Sequence, residues 1–100
     1  MATVVGVAWY ERSEWARLRA IAPDAETLEE THAEWLALAE KSLRDLRAAG
    51  YEPHRVPVKI AALQAWCGML GRQPDASARV DYTSAELQRL HQAGRLDRDA

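Results

Sequence analysis

The chain has 100 residues, 48% of them hydrophobic and 28% charged, and a formal net charge of -2. This length is enough for one domain with a single modest core, and the composition excludes a disordered chain or a collagen-like repeat. Because acidic and basic residues nearly balance, no overall field attracts phosphate backbones or an anionic membrane. We therefore expect no nucleic-acid partner and no membrane partner, and nucleic-acid binding is only a second alternative function.

The cysteine content and the N-terminal residues bear on localisation. Cys67 is the only cysteine, whereas secreted domains of this size usually carry several disulfides. The apolar run over residues 3–10 has no basic flank before it and meets Glu11 and Arg12 directly after it. It fits neither a signal peptide nor a membrane span, so we expect a cytoplasmic protein.

The first predicted elements are a strand and a short helix. Residues 3–10 are rich in β-branched and aromatic side chains, and the run is too short for an independent helix. Ser13 then fits the N-cap position of a helix that Pro23 ends.

The second helix has the clearest sequence signals. Thr31 and Glu34 have the spacing of a capping box, and Thr27 and Glu30 offer the same signature one turn earlier. Gly50 lies where a left-handed residue commonly ends a helix. The pattern predicts a helix from Thr31 to Gly50.

The second half of the chain predicts one strand and two further helices. Residues 54–58 alternate as a short strand in which Pro57 favours an edge position. A third helix is predicted from about residue 59 to residue 70. Asp75 fits the N-cap of a fourth helix, which a second capping box beginning at Thr83 can split in two.

The element order is therefore β-α-α-β-α-α, an α+β, helix-rich fold with a small two-stranded sheet. The long helical connection between the strands favours parallel pairing. We assign residues 1–94 to one small domain and residues 95–100 to a frayed tail. A two-stranded sheet is marginal alone, and the apolar first strand lacks a charge or proline that would blunt its edge. We therefore expect a homodimer that extends the sheet.

The sequence holds no recognised catalytic or ligand-binding motif. Cys67 lies in an apolar helical segment, where cysteine usually packs as a small hydrophobe, although a nearby histidine would make it a candidate nucleophile. His32, His54 and His91 follow no metal-ligand spacing, and no glycine-rich phosphate loop is present. We predict no catalytic, cofactor-binding or metal-binding residue. The sequence leaves open whether the chain is an enzyme, and the lack of a catalytic motif favours a protein that is not one.

The aromatic residues are the unusual feature, because the chain has four tryptophans and three tyrosines but no phenylalanine. Their usual role in a small domain is to anchor helices and strands in the core. That interpretation is strongest for Trp15, Trp35 and Trp66. Trp9 and Tyr10 end the first strand, where ligand-binding loops gather, so a ligand site there is the alternative.

Several short motifs together resemble a family of short bacterial proteins of uncharacterised function. The resemblance spans roughly residues 4–85, and the motifs that carry it are Ala8-Trp9-Tyr10, Thr31, Glu34-Trp35-Leu36, Ala39-Glu40-Lys41 and Ala65-Trp66-Cys67. The chain departs from that pattern at His32, Lys59 and Leu63. The resemblance implies one bacterial domain and brings no activity with it. It singles out one possible ligand or interaction cluster, formed by Trp9, Tyr10, Trp35, Trp66 and Cys67.

These observations favour a small cytosolic, non-enzymatic interaction or structural protein that forms homodimers. The first alternative is a small-molecule-binding module or enzyme that uses the Trp9 and Tyr10 end of the sheet. No cofactor is expected, and the identity of any protein partner stays open.

Overall fold

The structure, a computed structural model, describes residues 2–96. The helix-rich α+β fold and the predicted element order are confirmed. One 3-10 turn, which the sequence pattern did not predict, lies between the first two helices at Ala25–Thr27. The elements are β1 (Val4–Trp9), α1 (Arg12–Ile21), α2 (His32–Ala48), β2 (Glu52–Pro57), α3 (Ile60–Met69) and α4 (Ala76–Gln92).

The two strands pair in parallel, as the long connection between them predicted. The register runs from Val4 opposite Glu52 to Trp9 opposite Pro57. At the ends of the pair, the Thr3 carbonyl accepts the Glu52 N–H at 2.8 Å and the Trp9 carbonyl accepts the Val58 N–H at 3.0 Å. The sheet therefore holds together the beginning and the middle of the chain.

The start of α1 differs from the sequence prediction. The helix begins at Arg12 with Glu11 in the N-cap position and no side-chain cap, so the predicted cap at Ser13 is wrong. The helix begins two residues earlier than a cap at Ser13 would place it, and the buried Glu14 in its first turn accepts a hydrogen bond from the start of α3. A tertiary contact therefore overrides the local capping preference.

The capping box of α2 is confirmed in detail. The Thr31 hydroxyl accepts the Glu34 N–H at 3.1 Å, and the Glu34 carboxylate accepts the Thr31 N–H at 3.2 Å. At the other end, Gly50 has the predicted left-handed backbone, with φ 94°. Both signals are local, so the sequence was sufficient to find them.

The fourth helix is one continuous element, so the predicted possibility of a split at Thr83 is wrong. Asp75 does cap the helix, since its carboxylate accepts the Ala78 N–H at 2.9 Å. Thr83 is buried, and its hydroxyl donates to the Arg79 carbonyl one turn earlier at 2.7 Å. The Thr83 hydroxyl is therefore hydrogen-bonded to the preceding turn of the same helix. It does not cap the start of a new helix. Part of the predicted frayed tail, residues 97–100, lies outside the described residues.

Helices α2 and α4 both pack against the strands. Gly6 in β1 permits the close approach of α4, because a Cβ there would lie 3.1 Å from Val56 Cγ2 and 3.4 Å from Leu87. The main core then forms beyond the carboxyl end of β1 between α1, α3 and α4. Its buried side chains are Tyr10, Trp15, Leu18, Ala22, Val58, Ile60, Leu63, Cys67, Ala78 and Tyr82.

Candidate functional site

An aromatic cluster forms at the carboxyl end of β1, and Trp35 of α2 lies at its centre. The Trp35 ring centroid is 5.4 Å from Trp9, 5.3 Å from Tyr10 and 5.4 Å from Trp15. The contact with Trp15 is stacked, and the other two are edge-to-face. These separations are typical of rings in direct contact, so the four side chains pack against one another.

The polar atoms around this cluster bond to the chain itself. The Trp15 indole N–H donates to the Glu29 carbonyl at 3.2 Å. His32 Nε2 lies 2.7 Å from the Tyr10 carbonyl, and because a carbonyl only accepts, this nitrogen carries the proton. The Arg55 guanidinium covers Trp9 at 5.0 Å from its ring centroid. This arrangement supports a core role for the rings and for His32.

The remaining two residues of the predicted cluster lie on α3. Trp66 packs edge-to-face against Tyr82 of α4 at 5.5 Å and lies beneath the Arg72 guanidinium. Cys67 is buried in the core with 1% of its surface exposed. The structure thus brings Trp9, Tyr10 and Trp35 together and adds Trp15, while Trp66 has a separate aromatic partner. A thiol this inaccessible is poorly placed to act as a nucleophile.

A bidentate ion pair joins α4 to the segment after α1. The two terminal nitrogens of Arg79 donate to the two carboxylate oxygens of Asp24 at 2.8 and 2.9 Å. These bonds lower the pKa of Asp24 from 3.8 to about 2. Burial raises the pKa of the neighbouring Tyr10 hydroxyl. Nothing in the sequence pointed to this pair, because its members are 55 residues apart.

This ion pair predicts a specific loss of stability in acid. Because the pKa of Asp24 is lower in the folded state, its contribution is fully present above about pH 4 and is lost as the pH falls through about 2. Allowing for solvent screening, we expect the pair to contribute about 1–2 kcal/mol. Urea unfolding of Asp24→Asn should show that loss at pH 7 and a flatter decline below pH 4. Asp45→Asn, which removes an exposed carboxylate, is the control; equal behaviour of the two variants would contradict the prediction.

A second buried carboxylate, Glu14, connects α1 to the start of α3. Its Oε1 accepts the Ile60 N–H at 2.7 Å, and its Oε2 accepts from Arg17 at 2.9 Å. Only 4% of Glu14 is exposed. The carboxylate thus takes the place of an N-cap for α3, whose own N-cap residue, Lys59, makes no side-chain cap bond.

A cavity lies at the opposite end of the sheet, where both strands begin. Its volume is about 700 Å³. The buried His54 lies in its wall with Nε2 2.6 Å from a carboxylate oxygen of Glu52. The lining residues are Ala2, Arg47, Tyr51, Glu52, Pro53, His54, His91, Gly94 and Leu96. The sequence patterns did not single out this cavity, because its polar residues come from three separate segments.

Residues 2–96 contain no group of three or more His, Cys, Asp or Glu side chains arranged to hold a metal ion. Within the same residues, no helix combines the length and the apolar character needed to cross a membrane. No protein-family model, curated protein or solved structure matches the chain. The resemblance to short bacterial proteins therefore stays a prediction.

Proposed function

We propose that this protein is a small interaction module that pairs with a second copy of itself through the outer edge of β1. The supporting observation is that β1 has one edge paired with β2 and one edge whose backbone groups have no hydrogen-bond partner among the described residues. Such an edge is a template for another strand.

The direction of each backbone group in β1 follows from the ladder. The carbonyls of Thr3 and Trp9 both accept from β2, and alternate residues of a strand direct their backbone groups to the same side. The backbone groups of Val4, Gly6 and Ala8 therefore point away from β2. Each offers one N–H and one C=O to an incoming strand.

The outer edge of β2 is different. The N–H groups of Glu52 and Val58 point towards β1, so the nitrogens of the odd-numbered residues between them point outwards. Two of those residues are Pro53 and Pro57, which have no N–H to donate. Arg55 is the one residue within β2 with an outward N–H. The structure supports the predicted outer position of Pro57, and β1 is the better edge for pairing.

The antiparallel pairing that uses all three outward-facing residues has its two-fold axis at the middle one, Gly6. A two-fold axis through Gly6 makes the two β1 strands antiparallel, with Val4 opposite the partner's Ala8 and Gly6 opposite itself. The outward groups then form about six hydrogen bonds between the strands. The result is a four-stranded sheet with β1 and its symmetry mate at the centre. A centre of this kind suits β1, whose six residues are all half-buried in the single chain.

Light scattering after size exclusion tests the proposal at tens of micromolar protein. We expect a mass of twice the 11.2 kDa chain for the natural sequence. Val4→Pro should give the single-chain mass with an unchanged circular dichroism spectrum, because it removes an N–H that faces away from β2. Val80→Lys, at a position 65% exposed on α4, should leave the dimer intact. A natural chain of single-chain mass, or a dimer lost in Val80→Lys but kept in Val4→Pro, would overturn the proposal.

Amide hydrogen exchange provides a second test that requires no substitution. The N–H groups of Val5 and Val7 point towards β2 and should be protected at every protein concentration. The N–H groups of Gly6 and Ala8 should be protected only at concentrations where the dimer forms. Rapid exchange of Gly6 at high concentration would contradict pairing through this edge.

A further inference from the structure

The cavity at the start of the strands has the size and the polar groups of a small-molecule site. Typical ligand pockets have volumes of about 300–1,000 Å³, and this one is within that range at about 700 Å³. It lies between the ends of α2 and α4, beneath the first residues of β2. It is well separated from the aromatic cluster, which occupies the other end of β1.

Of the charged side chains that line the cavity, the carboxylate has a described hydrogen-bond partner and the guanidinium has none. Glu52 is its one carboxylate among the described residues, and His54 Nε2 already bonds to it at 2.6 Å. Because an ionised carboxylate only accepts, Nε2 donates this hydrogen bond. Arg47 also lines the cavity, and its guanidinium forms no ion pair with any residue in 2–96. Within the described residues, a full positive charge therefore lines the cavity without a counterion.

The ends of the two helices carry partial charges of the opposite sign. The carboxyl ends of α2 and α4 both lie at the cavity, and each helix end is equivalent to roughly half a negative charge. Arg47 is in the last turn of α2 and His91 is in the last turn of α4, where basic side chains offset that field. Arg47 and Glu52 carry the two full charges of the described lining, and the Arg47 guanidinium is the one that no described side chain engages.

We infer that this cavity binds a small organic anion through its carboxylate or phosphate group. Arg47 offers a planar fork of N–H donors that matches such a group, and Tyr51 and His91 bring further polar atoms to the same wall. Pro53 and Leu96 supply apolar surface for the organic part of the ligand.

The test is an NMR titration of the full chain with phenyl phosphate, benzoate and inorganic phosphate, with benzylamine as a cationic control. We expect saturable shifts of the Arg47, Tyr51 and His91 resonances with phenyl phosphate or benzoate. Arg47→Gln should weaken this binding at least tenfold. Arg44→Gln, which removes an exposed arginine one turn away on the same helix, should leave the affinity unchanged. Both positions are exposed, so neither substitution threatens folding.

Four outcomes would overturn the inference. The first is an absence of saturable shifts with every anion, and the second is benzylamine binding as tightly as the anions. The third is an equal loss of affinity in Arg44→Gln and Arg47→Gln, which indicates general attraction to a basic surface. Saturation by inorganic phosphate as tight as by phenyl phosphate would assign the site to free phosphate and exclude the organic ligand. The oligomer measurements are independent, so failure here leaves the pairing of β1 untouched.

Discussion

Glu14→Ala should destabilise the protein by about 2–3 kcal/mol, although the residue is at no proposed site. The carboxylate is almost fully buried and accepts the first backbone N–H of α3 at 2.7 Å. Without it, the Ile60 N–H is left buried with no partner, and the negative charge that favours a helix N-terminus is lost. Since domains of this size are stable by only about 5–15 kcal/mol, the effect is large. Urea unfolding followed by circular dichroism measures it.

Arg17→Ala is the matched control for this prediction. It removes the other partner of the same carboxylate, but the Arg17 side chain is 66% exposed, so its ion pair contributes at most about 1 kcal/mol. Glu14→Gln keeps an acceptor oxygen without the charge and should give an intermediate loss. If Glu14→Ala and Arg17→Ala had equal effects, the bond to α3 would not be the stabilising contact.

Trp35→Ala should cost about 3 kcal/mol, at the lower end for a tryptophan truncation because the side chain is only half-buried. The substitution removes the ring that touches Trp9, Tyr10 and Trp15 at once and leaves a cavity between α2 and the end of β1. Trp35→Phe should recover much of the loss because a ring still fills the space. Chemical denaturation of both variants provides the measurement.

Leu38→Ala is the control on the same helix, since Leu38 is 51% exposed and should matter little. A loss below about 1 kcal/mol for Trp35→Ala would mean that the rings do not hold the fold together. The alternative of a ligand site at the Trp9 and Tyr10 end would then become the better interpretation. Chemical denaturation of the Trp35 variants therefore tests whether these rings have a core role.

What the sequence could predict depended on the distance over which each signal acts. The capping box at Thr31 and the left-handed glycine at position 50 are encoded within a few residues, and both were predicted. The bonds from Glu14 to α3 and from Arg79 to Asp24 join residues 46 and 55 positions apart. No local sequence pattern predicts such partners, because only the tertiary fold brings them into contact.

The wrong predictions also arise because contacts in the folded chain differ from what the local sequence suggests. Ser13 has the chemistry of an N-cap, but the chain starts α1 earlier, where Glu14 can reach α3. Thr83 is also a residue type that caps helices, yet its hydroxyl donates to the Arg79 carbonyl one turn earlier in a continuous helix. The cavity near Arg47 was missed because its wall is assembled from the ends of α2 and α4 and the start of β2. Such a site exists only in three dimensions.

The two prolines of β2 also determine how far association can proceed. If the β1 edges of two chains are joined, the strand edges that the described residues leave at the outer sides of the sheet belong to β2. Pro53 and Pro57 remove two of the donors that a third chain would require there. Assembly through β1 would therefore close after a single step, because the same contact that forms the pair leaves no equivalent surface for further growth. The prolines would thus oppose fibre formation by a chain whose apolar β1 has one open edge.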